Sequence, residues 1–477
     1  MEFAEFIRAH DGDDLASLAL ARERYADSVS TPPCAGSVSA FDLALSTLEV
    51  RRKLRYKVPS WYSVPSLRYP LRLSGEQCSS EETARYKAAV ALAACPHGCI
   101  ADLTGGLGVD SWAFAQRFDA VLYNEMRPEL ASAAAANFAA LGLGNVQVRN
   151  CALAPGDVRL EPGMTVREIL GDFNPDIIYM DPARRASDGR KVFRLEDCQP
   201  DVLKLLPELL EACPLLLLKL SPMADISLVC KQLGCVEAVH VVAADGECKE
   251  LLLLLRRGHE GPYTITIYES GSVAELDQVQ SMSPKLDQVQ GIFGRGFISS
   301  AGPCPASMDS TGLEGTVGGL GPGDESGLGP KRGWTRSTAP AAPAITAPAA
   351  TLTPPSGAVL FEPGKALLKA GAFEWPCGFG LEKLGRHTHL YIGPEVPEEL
   401  KPFGKTFRIL EVLPLDKRNI KAIAARYPQA AVTARNIPLT SDELRKKLGV
   451  KDGGTVHIFG VHADASQGNL LLICCGA

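Results

Sequence analysis

Two short stretches of this chain hold residue types at spacings that suit chemistry. The first is Ile100-Ala-Asp-Leu-Thr-Gly-Gly-Leu-Gly-Val-Asp110. It follows an apolar run and opens a helical pattern. Glycines let a backbone turn sharply and approach a ligand closely. The helix N-terminus behind them leaves N–H groups free. Gly105, Gly106 and Gly108 depart from the regular G-x-G-x-x-G of a phosphate cradle, and Asp102 stands just before them. A carboxylate there repels a pyrophosphate but accepts a bond from an amino-acid ammonium. Thr104 and Asp110 frame the loop. Glu125 stands at the end of the next predicted strand, where a carboxylate can bond ribose hydroxyls. The pattern favours S-adenosylmethionine over a nicotinamide dinucleotide. A tight strand-to-helix turn without a ligand is the plainer alternative.

The second stretch is Ile177-Ile-Tyr-Met-Asp-Pro-Ala-Arg184. An apolar strand runs straight into Asp181-Pro182. The carboxyl end of a parallel strand lies over the crevice where ligands bind, and proline stiffens the loop that leaves it. Asp181 can accept hydrogen bonds from an amino group about to be methylated. Arg184 and Arg185 can contact phosphate or stack on a base. A bare strand-ending turn is the alternative here too.

The elements around these stretches must position them. Five apolar runs read as strands: Cys99–Leu103, Ala120–Asn124, Val146–Arg149, Ile177–Met180 and Leu215–Leu220. Helical patterns separate most of them, which implies a parallel sheet covered on both faces. Val236–Ala243 and Cys248–Leu255 then flank Asp245-Gly246, a hairpin signal. A parallel sheet that ends in an antiparallel hairpin is unlike a plain dinucleotide fold. Residues 1–95 read as mainly helical, with a helix opened by Ser79 or Ser80 as cap. Residues 96–257 form the sheet domain. Residues 258–295 add an extension with a strand at Tyr263–Tyr268. Residues 296–356 are rich in Gly, Pro, Ala, Ser and Thr and read as a disordered insert. Residues 357–477 regain globular character as a small α+β domain.

The bulk composition excludes some classes. A chain of 477 residues with 46% hydrophobic content suggests two to four packed domains. No apolar run is long enough to span a bilayer, and the N-terminus shows no leader pattern. The fourteen cysteines include no CxxC pair, so they read as free thiols of a cytoplasmic protein, with no metal site. Net charge is -6, but it is segregated. Residues 401–451 hold twelve Lys plus Arg against four Asp plus Glu. Residues 51–75 hold seven Lys plus Arg and no acid, interleaved with Tyr56, Trp61, Tyr62 and Tyr69. Cations beside aromatic faces suit single-stranded or looped RNA. Two solvated basic faces and a set of core aromatics is the alternative.

Taken together, the chain resembles class I S-adenosylmethionine-dependent methyltransferases. More narrowly, it resembles a bacterial family with a C-terminal THUMP-like domain. The residues behind this are Ser79-Ser-Glu-Glu-Thr-Ala-Arg-Tyr-Lys-Ala88, the Thr104–Asp110 loop, Met180-Asp-Pro-Ala-Arg184, Lys219-Leu-Ser-Pro-Met223 and Glu247-Cys-Lys-Glu-Leu251. In the C-terminal domain they are Thr388-His-Leu-Tyr391, Arg435-Asn-Ile-Pro-Leu439 and Arg445-Lys-Lys-Leu448. The resemblance implies an α/β fold: a Rossmann-like seven-stranded sheet, an N-terminal helical region and a small α+β domain. It implies that Asp102 and the loop lie under the methionine part of the cofactor, with Glu125 on the ribose. Asn150 falls near the adenine, and Asp181 beside the transferred methyl. It implies an RNA substrate, tRNA or rRNA, methylated on a base amino group. The departures are Ala183 for a second proline and Arg184 for a stacking aromatic. Ser221-Pro222 stands where carbon-5 chemistry would need a cysteine nucleophile. A methyltransferase for a protein or small molecule, and a non-catalytic cofactor-binding RNA assembly factor, stay open as alternatives.

Overall fold

In this computed structural model, the structure describes residues 1–25, 29–30, 39–154, 163–184, 195–276, 357–463 and 468–477, with the backbone only of Arg184. The predicted 296–356 insert and Arg185 lie outside them.

The central sheet is built from β1 (Cys99–Asp102), β2 (Ala120–Asn124), β3 (Val146–Arg149), β4 (Ile177–Met180), β5 (Leu215–Leu220), β6 (Val236–Ala244), β7 (Glu247–Arg256), β8 (Thr264–Glu269) and β9 (Ser272–Leu276). Their spatial order is β9-β8-β6-β7-β5-β4-β1-β2-β3. β1 to β5 run parallel, and β7 inserts antiparallel between β5 and β6. The hairpin turn sits where Asp-Gly placed it. Asp245 and Gly246 both adopt positive φ, 53° and 73°, as a tight two-residue hairpin requires. The sheet has nine strands where seven were expected. β8 pairs parallel with β6, and β9 folds back on β8. The Tyr263–Tyr268 run is thus part of the same sheet, because β6 would otherwise leave an unpaired edge.

Strand burial explains the continuous apolar runs. Ile177–Met180 is buried at every position, as a parallel strand covered on both faces must be. Ala101, Leu122, Ile178, Met180, Leu216 and Leu218 share one core with the helices Val166–Leu170, Val202–Ala212 and Ile226–Leu233. The N-terminal region is helical as predicted, with its longest helix at Ala40–Lys57. The next long helix, Glu81–Ala94, is capped by Ser80, whose side chain accepts from Thr83 N–H.

A second sheet follows, from β10 (Val359–Pro363), β11 (Glu382–Lys383), β12 (Tyr391–Gly393), β13 (Gly404–Pro414), β14 (Ala431–Arg435), β15 (Val456–His462) and β16 (Asn469–Gly476). Its order is β11-β12-β10-β13-β16-β15-β14. Ile423, Leu444 and Leu448 of the helices Lys417–Arg426 and Ser441–Leu448 pack on Ile458, Leu471 and Ile473 of this sheet. Phe361, Leu367 and Phe403 join the core of the first sheet, and Glu269 at the end of β8 accepts the Ala366 N–H at 3.0 Å.

Candidate active site

The carboxyl ends of β1, β2 and β4 open into a cavity of about 700 Å³. That lies within the range of about 300–1,000 Å³ that encloses a small ligand. Thr104 to Asp110 line it, as do Glu125, Asp181, Pro182 and Lys219. Met126, Leu130, Cys151 and Leu153 give it an apolar slot.

The glycine loop has structural reasons for its glycines. A Cβ on Gly105 would come within 2.1 Å of the Tyr123 ring, and one on Gly108 within 2.8 Å of Phe138. Gly106 and Gly108 also hold positive φ, 54° and 92°. The loop must therefore be glycine-rich to pack on β2 and its helix, with or without a ligand.

Asp102 and Asn150 do not line the cavity. Asp102 is 1% exposed. Its carboxylate accepts the Ser111 hydroxyl at 2.6 Å and the Thr104 N–H at 3.1 Å, so it holds the loop from below. Burial pushes its carboxyl up to about 8, against the pull of the Ser111 bond. Asn150 is exposed, and its amide donates to the Glu125 carbonyl at 2.7 Å. It steadies the end of β2. Glu125 does face the cavity. Its carboxylate accepts the Gly106 N–H at 2.9 Å and the Arg127 N–H at 2.8 Å. Each of its oxygens keeps a lone pair for a further donor.

Asp181 lies across from the loop. Its backbone N–H donates to the Thr104 hydroxyl at 2.6 Å, which ties the two sequence motifs together. Its carboxylate takes the Lys219 ammonium at 2.5 Å. Pro182 lines the cavity beside it. The backbone of Ala183 and Arg184 forms a two-residue ladder with Cys198 and Gln199, which fixes the direction of the loop.

Behind Asp181 stands a chain of charges that motif reading did not assemble. Lys219 also lies 3.8 Å from Glu250. The other Glu250 oxygen accepts from Lys87 at 2.7 Å. Lys87 is fully buried and lies 3.3 Å from Asp110. Asp110 in turn accepts the Ser79 and Tyr179 hydroxyls at 2.9 and 2.8 Å. Burial alone would raise the Asp110 carboxyl, but Lys87 and Lys219 outweigh it and hold the group below its ordinary value. Buried lysines are rare unless paired. Lys87, Asp110, Lys219 and Glu250 all lie in segments that the family resemblance singled out, but nothing in the sequence joined them.

The basic stretch at 51–75 is a different matter from its sequence reading. Trp61 and Tyr69 are fully buried and stack on each other at 6.2 Å. Arg51 is 4% exposed and donates to the Tyr62 and Val64 carbonyls. Lys53 pairs with Glu76, and Arg72 with Glu49. Trp61 and Tyr69 belong to a buried core and are not free to stack on a base, whereas Tyr56 is 83% exposed.

Comparison with known proteins agrees with this architecture. The crystal structure of a candidate methyltransferase from Porphyromonas gingivalis W83 is 26% identical to this chain. It superposes with a TM-score of 0.69 over 100% of this chain and 97% of that one. Residues 404–477 match a THUMP domain-like family, and residues 360–400 match a ferredoxin-like domain family. This is the class I methyltransferase fold joined to a THUMP-like domain. A T. thermophilus 16S rRNA N2 G1207 methyltransferase, solved with AdoMet and guanosine, overlays more locally. It is 14% identical, with a TM-score of 0.27 over 37% of this chain and 42% of that one. An rRNA methylase from Streptococcus thermophilus gives 11% and 0.26 over 37% and 94%. Overlays of that quality carry no argument about function. No curated protein matches the chain. Among the described residues, no helix is long and apolar enough to cross a membrane.

Proposed function

We propose that the protein is an S-adenosylmethionine-dependent methyltransferase that acts on a base amino group of RNA, in tRNA or rRNA. The observation that carries this reading is the 2.6 Å bond from Asp181 N–H to Thr104. It brings an Asp-Pro turn and a glycine loop to one cavity. The cavity fits the cofactor in size and in donors: the Glu125 carboxylate suits ribose hydroxyls, and the slot at Met126, Leu130 and Leu153 suits adenine. Bound there, S-adenosylmethionine supplies an activated methyl group.

The chain's own residues have little acid–base work to do, since the main need is to hold donor and acceptor in line. Asp181 accepts an amino N–H and stabilises the positive charge that develops on nitrogen. Pro182 keeps that carboxylate from swinging away. Glu125, Gly106 and Thr104 hold the donor side, with Asp102, Asp110 and Asn150 supporting the loop. Arg184 and the cations of the THUMP-like domain hold the substrate. Lys417, Arg418, Lys421, Lys446 and Lys447 are all exposed there.

One observation favours a protein or small-molecule acceptor instead. Among the described residues, no aromatic ring lines the cavity, and a flipped base is ordinarily stacked. Mass spectrometry of RNA nucleosides from cells with and without the gene decides between them. The expected result is one methylated nucleoside that disappears on deletion and returns with the wild-type chain but not with Asp181→Ala. An unchanged nucleoside set would overturn the RNA reading.

A further inference from the structure

The five buried or half-buried charges beneath the cavity alternate in sign: Asp181, Lys219, Glu250, Lys87, Asp110. They come from five separate elements, and the three carboxylates share two ammonium groups. The chain therefore carries one surplus negative charge. Asp110 and Glu250 are 8% and 3% exposed, whereas the Asp181 side chain is 35% exposed and borders the cavity. Asp110 also borders the cavity, but Lys87 faces one of its oxygens and two hydroxyls occupy the other, so the surplus is shown by Asp181. We propose that Lys219 is a positioning residue that occupies one oxygen of Asp181, so that the other is held facing a cationic centre in the cavity.

The geometry gives Lys219 little choice. It sits on β5, opposite Leu252 of β7, between Asp181 and Glu250. Burial works against its charge, but Asp181, Glu250 and Asp110 together more than offset that and hold the ammonium protonated. The other groups facing Asp181 are Glu250 from β7, Asp110 from the loop helix, Asp102 from β1, Tyr179 from β4 and Cys198 from the short ladder. All of these are acids. Lys219 is the cation in contact with the Asp181 carboxylate among the described residues. The remaining lysines at the rim have acids of their own. Lys204 lies 3.6 Å from Asp201, and Lys249 lies 3.1 Å from Glu247. They do not replace Lys219.

The inference rests on the reading of the cavity as a methyl-donor site, where the cationic centre is a sulfonium. Calorimetry with S-adenosylmethionine and with its uncharged thioether product, S-adenosylhomocysteine, reads the charge on Asp181 without any methyl acceptor. For Asp181→Asn, the ratio of the two affinities should shift about tenfold against the sulfonium at every pH. For Lys219→Met, which leaves Asp181 without the partner that fixes it, the ratio should fall part of the way to the Asn value. Lys219→Arg should follow the wild type throughout. Binding of the thioether itself shows that each variant is folded. If Lys219→Met fails to fold, the Asp181→Asn ratio still decides whether the charge is presented. An unchanged ratio in Asp181→Asn overturns the proposal, and so does a wild-type ratio in Lys219→Met. Failure of the wild-type chain to bind either ligand would remove the donor site and with it the reading beneath.

Discussion

The two basic stretches of this chain look alike on paper and differ in the fold. In residues 51–75 several of the cations are consumed locally, while Arg55 stays exposed beside Tyr56. Arg51 donates inward to two carbonyls, and Lys53 and Arg72 meet Glu76 and Glu49. In the helices Lys417–Arg426 and Ser441–Leu448 the apolar side packs on the second sheet, and Lys417, Arg418, Lys421, Lys446 and Lys447 face water. The difference teaches that a run of charge reports availability only when its acid partners are counted in space. Asp11, which accepts from the Tyr62 hydroxyl and lies 3.5 Å from Arg51, is forty residues from that arginine.

Replacing Trp61 with alanine tests the sharpest side of this contrast. Loss of a fully buried ring should cost about 3–5 kcal/mol, read from urea unfolding. If the ring instead served RNA, stability would hold and RNA affinity would fall. Arg51→Met should come next. It leaves the Tyr62 and Val64 carbonyls without their donor, at about 1–3 kcal/mol, and again with no change in RNA affinity at matched folded fraction. The C-terminal cations should behave the other way. Lys417→Glu, Arg418→Glu and Lys421→Glu together should weaken RNA binding at least about tenfold and flatten its salt dependence, with a log–log slope smaller by about 0.7 for each phosphate no longer neutralised. The melting temperature should stay within error. The smallest effect belongs to Lys53→Ala with Arg72→Ala, two exposed ion pairs of the kind that contribute little. Neither the unfolding midpoint nor the RNA affinity should move measurably. A loss of RNA affinity in this last variant would erase the contrast.

The same distinction runs through the candidate site. The Asp-Pro turn and the glycine loop were legible because each needs particular residues in a continuous segment. Gly105 is compelled by the Tyr123 ring, Gly108 by Phe138 and by its own backbone. Glu125 was legible from its place after β2. Asp102 and Asn150 were legible as residues near the loop but not in their roles, because the direction of a side chain depends on its neighbours. Ser111 and Thr104 occupy the Asp102 carboxylate, and the Asn150 amide turns to the Glu125 carbonyl. The segments around Ser79, Lys219 and Glu250 stood out as motifs without a chemical reason. Their reason is mutual, since Lys87, Glu250, Lys219 and Asp110 neutralise one another across the sheet.

What the amino-acid order determined alone is the set of strands, the Asp245-Gly246 hairpin and the two motifs at the strand ends. These depend on apolar burial and backbone freedom, which are local properties. Tertiary structure decided which charges are free and which are spent, how β8 and β9 extend the sheet from seven strands to nine, and which carboxylate faces the cavity. Those outcomes depend on partners tens to hundreds of residues away, and electrostatic pairing in a low-dielectric interior acts through distance in space rather than along the chain.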